Sequence, residues 1–218
     1  MNTIEIKNLN KKIKGAEVLK DINLHLEGGK VYGLKGKNGS GKTMLMRAVC
    51  GLILPTGGSI TINGEQLGKQ ISFPRSVGIL IENPSFIPGY TGLKNLSVLA
   101  AIQTRVGEDE IRETLEKIGL DPDDKRTYRK YSLGMKQRLV FAQAIMEKPE
   151  LLILDEPTNA LDTEGVRLFK EIIRQEKERG ATVLIASHSL EDFPDFCDAI
   201  IPMEAGRVVE PKGGSRIE

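Results

Sequence analysis

The chain has 218 residues, 39% hydrophobic and 28% charged, with a formal net charge of +1. That length allows one or two compact units with a sizeable core, and the near-balanced charge supplies no global field for nucleic acid or an anionic membrane. No apolar run reaches transmembrane length, the start from Met1 to Lys7 lacks a signal-peptide core, and Cys50 and Cys197 match no metal or redox spacing, which reads as a cytosolic, reducing-side protein with two small buried cysteines.

In chain order, the first third reads as strands. Ile4, Ile6 and Leu9 alternate with polar residues, as do Ile22, Leu24 and Leu26 before the turn pair Gly28-Gly29. Ile60 and Ile62 alternate and end at Asn63-Gly64, a strong hairpin signal. Alternation buries one face and wets the other, which predicts an antiparallel sheet beside the core.

Between these strands lies Gly36-Lys37-Asn38-Gly39-Ser40-Gly41-Lys42-Thr43, which fits the phosphate-loop pattern G-x-x-x-x-G-K-[ST]. It follows the apolar run Val31 to Leu34 and precedes Met44 to Cys50, a predicted helix stopped by Gly51. A surface glycine turn is the competing interpretation; the strand before and the helix after favour phosphate. The glycines let consecutive backbone N–H groups curl around an anion, and the helix N-terminus adds partial positive charge. Lys42 would bridge terminal phosphates and Thr43 would place its hydroxyl on Mg²⁺.

Val77 to Ile81 reads as a short buried strand, after which the pattern becomes helical. Leu93, Leu96 and Ala100 follow the cap Thr91; Ile111, Leu115 and Ile118 stop at Gly119; Leu139, Ala142 and Ile145 follow Ser132 and end before Pro149. This helical middle reads as an insertion in the core. In the last third, Leu151 to Leu154 and Thr182 to Ala186 are continuous apolar strands flanking a helix faced by Val166, Phe169, Ile172 and Ile173. That order predicts a parallel sheet covered on both faces.

Asp155 and Glu156 emerge at the carboxyl end of the Leu151–Leu154 strand, where open parallel sheets bind ligands. Asp155 there can hold Mg²⁺ or its water, and Glu156 can orient the attacking water. An acidic helix N-terminus is the plainer alternative; the phosphate loop favours chemistry. His188 closes the next buried strand and would sit beside Glu156, able to hydrogen-bond a γ-phosphate, if those strands are neighbours; an ordinary surface or core histidine is the plainer alternative. Ser132 is a predicted N-cap, and Gly134, costly near a helix start, points to a close approach.

Together these segments resemble the nucleotide-binding subunit of an ATP-binding cassette (ABC) transporter over nearly the whole chain. Gly36 to Thr43 are similar to Walker A, Leu151 to Glu156 to Walker B with its catalytic glutamate, Asn159-Ala160-Leu161-Asp162 to the D-loop, His188 to the switch histidine, and Ser132 with Gly134 to the signature motif. The resemblance implies an α/β fold: a P-loop NTPase parallel-sheet core with an N-terminal antiparallel β-subdomain and an inserted α-helical subdomain. It divides the chain into core and β-subdomain (1–82 and 134–210), helical subdomain (83–133) and flexible tail (211–218). It implies ATP and Mg²⁺ as cofactors, Glu156, His188 and Lys42 in catalysis, Gly36 to Thr43 with Ser132 and Gly134 on nucleotide, and Thr43, Glu82 and Asp155 on metal. It also implies a second nucleotide-binding subunit, transmembrane permease subunits, no nucleic acid, and a place on the cytoplasmic face of the membrane.

Three departures from the family pattern matter. The signature reads Tyr131-Ser132-Leu133-Gly134-Met135, the glutamine expected after the Val77–Ile81 strand is Glu82, and the aromatic that stacks on adenine is missing, with Ile13 near its place. Glu82 adds negative charge near the triphosphate, and with the Tyr131–Arg138 segment it resembles the bacitracin and lantibiotic self-protection branch, which implies an exporter. A soluble, non-transport ABC ATPase is the alternative function; a P-loop nucleoside kinase is remoter, since it would lack a signature and a histidine switch.

Overall fold

The computed structural model describes residues 3–82, 86–187 and 196–209. Six strands form the central sheet: β3 (Val31–Lys35), β6 (Val77–Leu80), β7 (Leu151–Asp155), β8 (Thr182–Ser187), β9 (Ala199–Glu204) and β10 (Arg207–Val208). Their order is β10-β9-β3-β8-β7-β6, parallel from β9 to β6 and antiparallel at the β9–β10 hairpin. The apolar runs are continuous because both faces are covered. Leu152, Leu154, Val183 and Ile185 face one core, whereas Leu151, Ile153, Leu184 and Ala186 face the other.

The second core is closed by a four-stranded antiparallel sheet, β2-β1-β4-β5, built from β1 (Ile4–Ile13), β2 (Ala16–Leu26), β4 (Gly57–Ile62) and β5 (Glu65–Gln66). Asn63 and Gly64, at φ 52° and 82°, make the turn that the sequence signals between β4 and β5. Ile4, Ile6, Leu9, Ile22 and Ile60 point inward against Leu45, Met46 and Val49 of α1 (Lys42–Val49). The first core holds α2 (Gly92–Gln103), α3 (Glu108–Lys117), α4 (Leu133–Ile145) and α5 (Thr163–Glu178).

The caps are where the residue types place them. Thr91 Oγ1 accepts from Lys94 N at 3.2 Å, Ser132 Oγ from Met135 N at 3.2 Å, and Asp162 Oδ1 from Gly165 N at 2.8 Å. The parallel core, the antiparallel β-sheet and the inserted helices match the expected α/β class. The expected tail, 211–218, lies outside the described residues.

Candidate nucleotide site

β3 delivers the chain into the loop at Gly36, and α1 leaves it at Lys42. Packing demands glycine at Gly36: an added Cβ would sit 2.4 Å from the Met203 carbonyl oxygen and 2.5 Å from Ser40 Oγ. Gly41 stands at φ 106° and fronts α1 with no side chain between the helix N-terminus and the cleft. Ser40 is 6% exposed, and its Oγ is a buried polar atom without a hydrogen-bond partner among the described residues. Such an atom costs stability unless something pairs with it. Lys42, 5% exposed, donates from Nζ to the carbonyl oxygens of Gly36 at 2.6 Å and Lys37 at 3.4 Å.

The sheet brings the carboxylates to this loop. β7 lies one strand away from β3, with β8 between them, so Asp155 ends beside α1. Thr43 Oγ1 donates to Asp155 Oδ2 at 2.5 Å. Burial pushes the Asp155 carboxyl above the usual carboxylate range; the Thr43 hydrogen bond opposes this, Glu156 adds to it, Lys42 opposes and Glu82 adds. Glu156 stands at φ 47°, a left-handed conformation that costs a non-glycine residue about 1–2 kcal/mol. Its backbone N–H donates to the Ala186 carbonyl at 2.8 Å, which holds the turn that swings the side chain off the strand end.

The resulting cleft has a volume of about 670 Å³, and Asn38 to Met44, Asp155 and Glu156 line it. Its far wall comes from Glu17, Val18 and Lys20 of β2 and from the Ala205-Gly206 turn. Val18, not Ile13, therefore faces the cleft; Ile13 is 38% exposed at the end of β1 and is not a lining residue. The β9–β10 hairpin that carries Ala205-Gly206 went unrecognised in the sequence. Its available signal was the apolar Ala199-Ile200-Ile201 run followed four residues later by a glycine turn. Gly36 and Lys37 line a neighbouring cleft with Pro202 and Met203.

Ser132 and Gly134 are not part of this cleft. They sit at the start of α4, with Ser132 exposed and Leu133 72% exposed. The close approach expected at Gly134 exists within the chain, since a Cβ there would meet the Ala160 carbonyl oxygen at 3.1 Å. Gln137 Nε2 also donates to the Pro157 carbonyl at 2.9 Å, and Arg138 pairs with Asp162, so α4 is tied to the segment that follows Glu156. Glu82, two residues past β6, forms an ion pair with Arg47 of α1. His188 lies outside the described residues. Burial pushes the Cys50 thiol up to about 12 and Cys197 to about 11, which fits packing rather than reactivity.

Among the described residues no group of three His, Cys, Asp or Glu is placed to hold a metal. A dedicated protein cage is not what Mg²⁺ needs, since it takes one or two carboxylates plus substrate phosphates. The hydroxyl–carboxylate pair of Thr43 and Asp155 is a hard-oxygen donor set of that kind.

A family model described as ABC transporter matches residues 19–159. The Bacillus subtilis (strain 168) protein YybJ, described as an uncharacterized ABC transporter ATP-binding protein, is 52% identical over 205 residues and 94% of each chain. The Enterococcus faecalis bacitracin transport ATP-binding protein BcrA is 40% identical over 209 residues, covering 95% of this chain and 68% of BcrA. A solved structure of an ATP-binding subunit of an ABC transporter superposes with a TM-score of 0.84 at 28% identity, covering 94% of this chain and 87% of that one. These likenesses extend over the phosphate loop and the strand-end carboxylates alike: the chain belongs to the ABC transporter family, as its ATP-binding and ATP-hydrolysing subunit.

Proposed function

We propose that this subunit hydrolyses ATP with Mg²⁺ inside a head-to-tail pair of cassettes, and so drives separate transmembrane permease subunits from the cytoplasmic face of the membrane. The observation that carries the reading is the Thr43–Asp155 contact of 2.5 Å at the mouth of a loop whose buried Ser40 hydroxyl still lacks a partner. A triphosphate lying over α1 gives that hydroxyl an acceptor. The backbone N–H groups from Asn38 to Thr43 take the phosphate oxygens. Lys42 exchanges its contacts with the Gly36 and Lys37 carbonyls for the terminal phosphates. Thr43 and Asp155 are the residues that would hold Mg²⁺, and Glu82 would offer it a further oxygen. Bound there, the cation supplies charge neutralisation on the terminal phosphates.

Glu156 orients the attacking water and takes up its proton, aimed by its left-handed backbone. His188 assists at the γ-phosphate. The segment that completes the charge stabilisation comes from the second cassette of the pair, a copy of this chain or a related one. Ser132 and Gly134 do not line the cleft of their own chain, while Ser132 and Leu133 face solvent at the start of α4. Ser132 Oγ accepts the cap bond from Met135 N, which leaves its own proton to donate. Residues 83–133 form the helical arm, and this arm meets the permease. BcrA is described as a bacitracin transport ATP-binding protein; that likeness supports export of a peptide-like antibiotic or a lipid here. Nucleic acid has no part in this reading.

Glu156→Gln tests it. The variant is expected to keep ATP affinity, lose turnover by more than about 100-fold, and accumulate a nucleotide-bound dimer on a sizing column. Normal hydrolysis by that variant would remove Glu156 from the mechanism; a monomer under every nucleotide condition, with permease supplied, would remove the second cassette.

A further inference from the structure

The neighbouring strands β6 and β7 run in parallel register, with Leu80 paired to Leu154. Glu82 and Glu156 therefore fall at the same offset, two residues beyond a paired position. Both leave their strands through a left-handed residue, at φ 60° and 47°. Asp155 immediately precedes Glu156, so three carboxylates share these strand ends, and both Glu82 and Glu156 are close enough to act on the Asp155 carboxyl through charge. A triphosphate brought to this edge meets like charge unless the carboxylates are compensated.

The compensation is on α1. Thr43 and Arg47 are four residues apart and share one helix face. Thr43 donates to Asp155, and one turn later the Arg47 guanidinium pairs with the Glu82 carboxylate. Arg47 is 29% exposed in its side chain and Glu82 is 62% exposed, so the pair adds little to stability. Its consequence is electrostatic: Glu82 with Arg47 carries no net charge.

We propose that Arg47 is a positioning residue that acts through Glu82. It cancels the Glu82 carboxylate while the metal is absent, so that nucleotide can enter, and it releases that carboxylate when the cation arrives. The proposal rests on the reading above that the cleft takes a nucleoside triphosphate.

The experiment measures the affinity of a fluorescent ATP analogue in EDTA and in excess Mg²⁺ for the full chain and its variants. Arg47→Met leaves one uncompensated negative charge and is expected to weaken binding in EDTA about fivefold, the size of one partly screened unit charge. In Mg²⁺ the loss shrinks to within about twofold, because the freed carboxylate takes up the cation. Glu82→Gln leaves one uncompensated positive charge and tightens binding in EDTA. The double variant restores neutrality and returns to within about twofold of the parent chain.

An Arg47→Met loss that is equal in EDTA and Mg²⁺, or that Glu82→Gln does not rescue, overturns the proposal, as does no loss at all. Should Arg47→Met fail to fold, Glu82→Gln alone decides: unchanged or weaker binding in EDTA overturns it. Lys42→Ala is measured alongside. Unaltered affinity in that variant would sink the phosphate-loop reading itself, whereas the Arg47 and Glu82 results bear on the pair alone.

Discussion

Asp155→Asn should make the nucleotide-free protein more stable and the enzyme inactive. Burial disfavours the charged carboxylate most; the Thr43 hydrogen bond and Lys42 offset that only in part, and Glu156 and Glu82 push the same way as burial. The folded-state value is raised above the ordinary 3.8. A raised carboxyl contributes stability below its unfolded value and loses it as pH climbs through the folded value. Around neutral pH the ionised Asp155 is therefore a standing cost to the fold. Asparagine removes the charge and still offers an oxygen to Thr43 Oγ1. A gain of about 0.5–2 kcal/mol is typical for relieving such a functional site. For a chain of this size each kcal/mol is a melting shift of roughly 2–4 °C. The assay is thermal unfolding in EDTA across pH. The variant should melt higher at about pH 7.5, and the gap should close toward about pH 4 as the wild-type carboxyl takes its proton. ATP turnover should fall by more than about 100-fold, because the amide is a poor ligand for a hard cation. A variant that melts lower than wild type at about pH 7.5, or a gap that does not narrow in acid, refutes the argument.

Thr43→Val removes the same contact from the other side. It should cost about 1.5–3 kcal/mol of nucleotide affinity in Mg²⁺, roughly 10- to 150-fold, with little change in EDTA, while Thr43→Ser keeps both; calorimetric titration checks this. Gly78→Ala addresses packing, since a Cβ on β6 would lie 1.8 Å from the Ala144 carbonyl oxygen of α4 and 2.8 Å from Pro149 Cγ. That overlap should cost about 3 kcal/mol or more in urea unfolding and shift the helix that carries Ser132. With Val18 on the cleft wall and no aromatic in the first thirty residues, ATP and GTP should differ by less than about tenfold in a competition assay, because the stacking of about 1–3 kcal/mol has no ring to supply it.

The parts of the site legible in the sequence are those fixed by local chemistry. Gly36 to Thr43 announce themselves because a phosphate loop must be glycine-rich and must open a helix. Asp155 and Glu156 do so because they close a continuous apolar run of strand length downstream of a phosphate loop. Thr91 and Ser132 are caps by residue type alone. Relations between distant segments were not legible. The resemblance sets Ile13 near the place of the missing aromatic, but β1 and β2 slip register between Ile6 and Leu9, Leu9 and Lys11, and Lys11 and Lys12, and it is Val18 of β2 that lines the cleft. The Ala199–Glu204 strand carries a proline at Pro202, which weakens its strand signal. It nevertheless pairs in parallel with β3 and delivers Ala205-Gly206 to the cleft. The Arg47–Glu82 pair joins residues 35 positions apart; Glu82 stands out in the sequence, but Arg47 carries no motif, and only the fold sets the two side by side. Two of the three strand-end acids are thus met from one face of one helix, Asp155 by the hydroxyl of Thr43 and Glu82 by the guanidinium of Arg47. A substitution that rotated α1 by a single residue would break both contacts at once, although each acid and each partner was still present in the sequence.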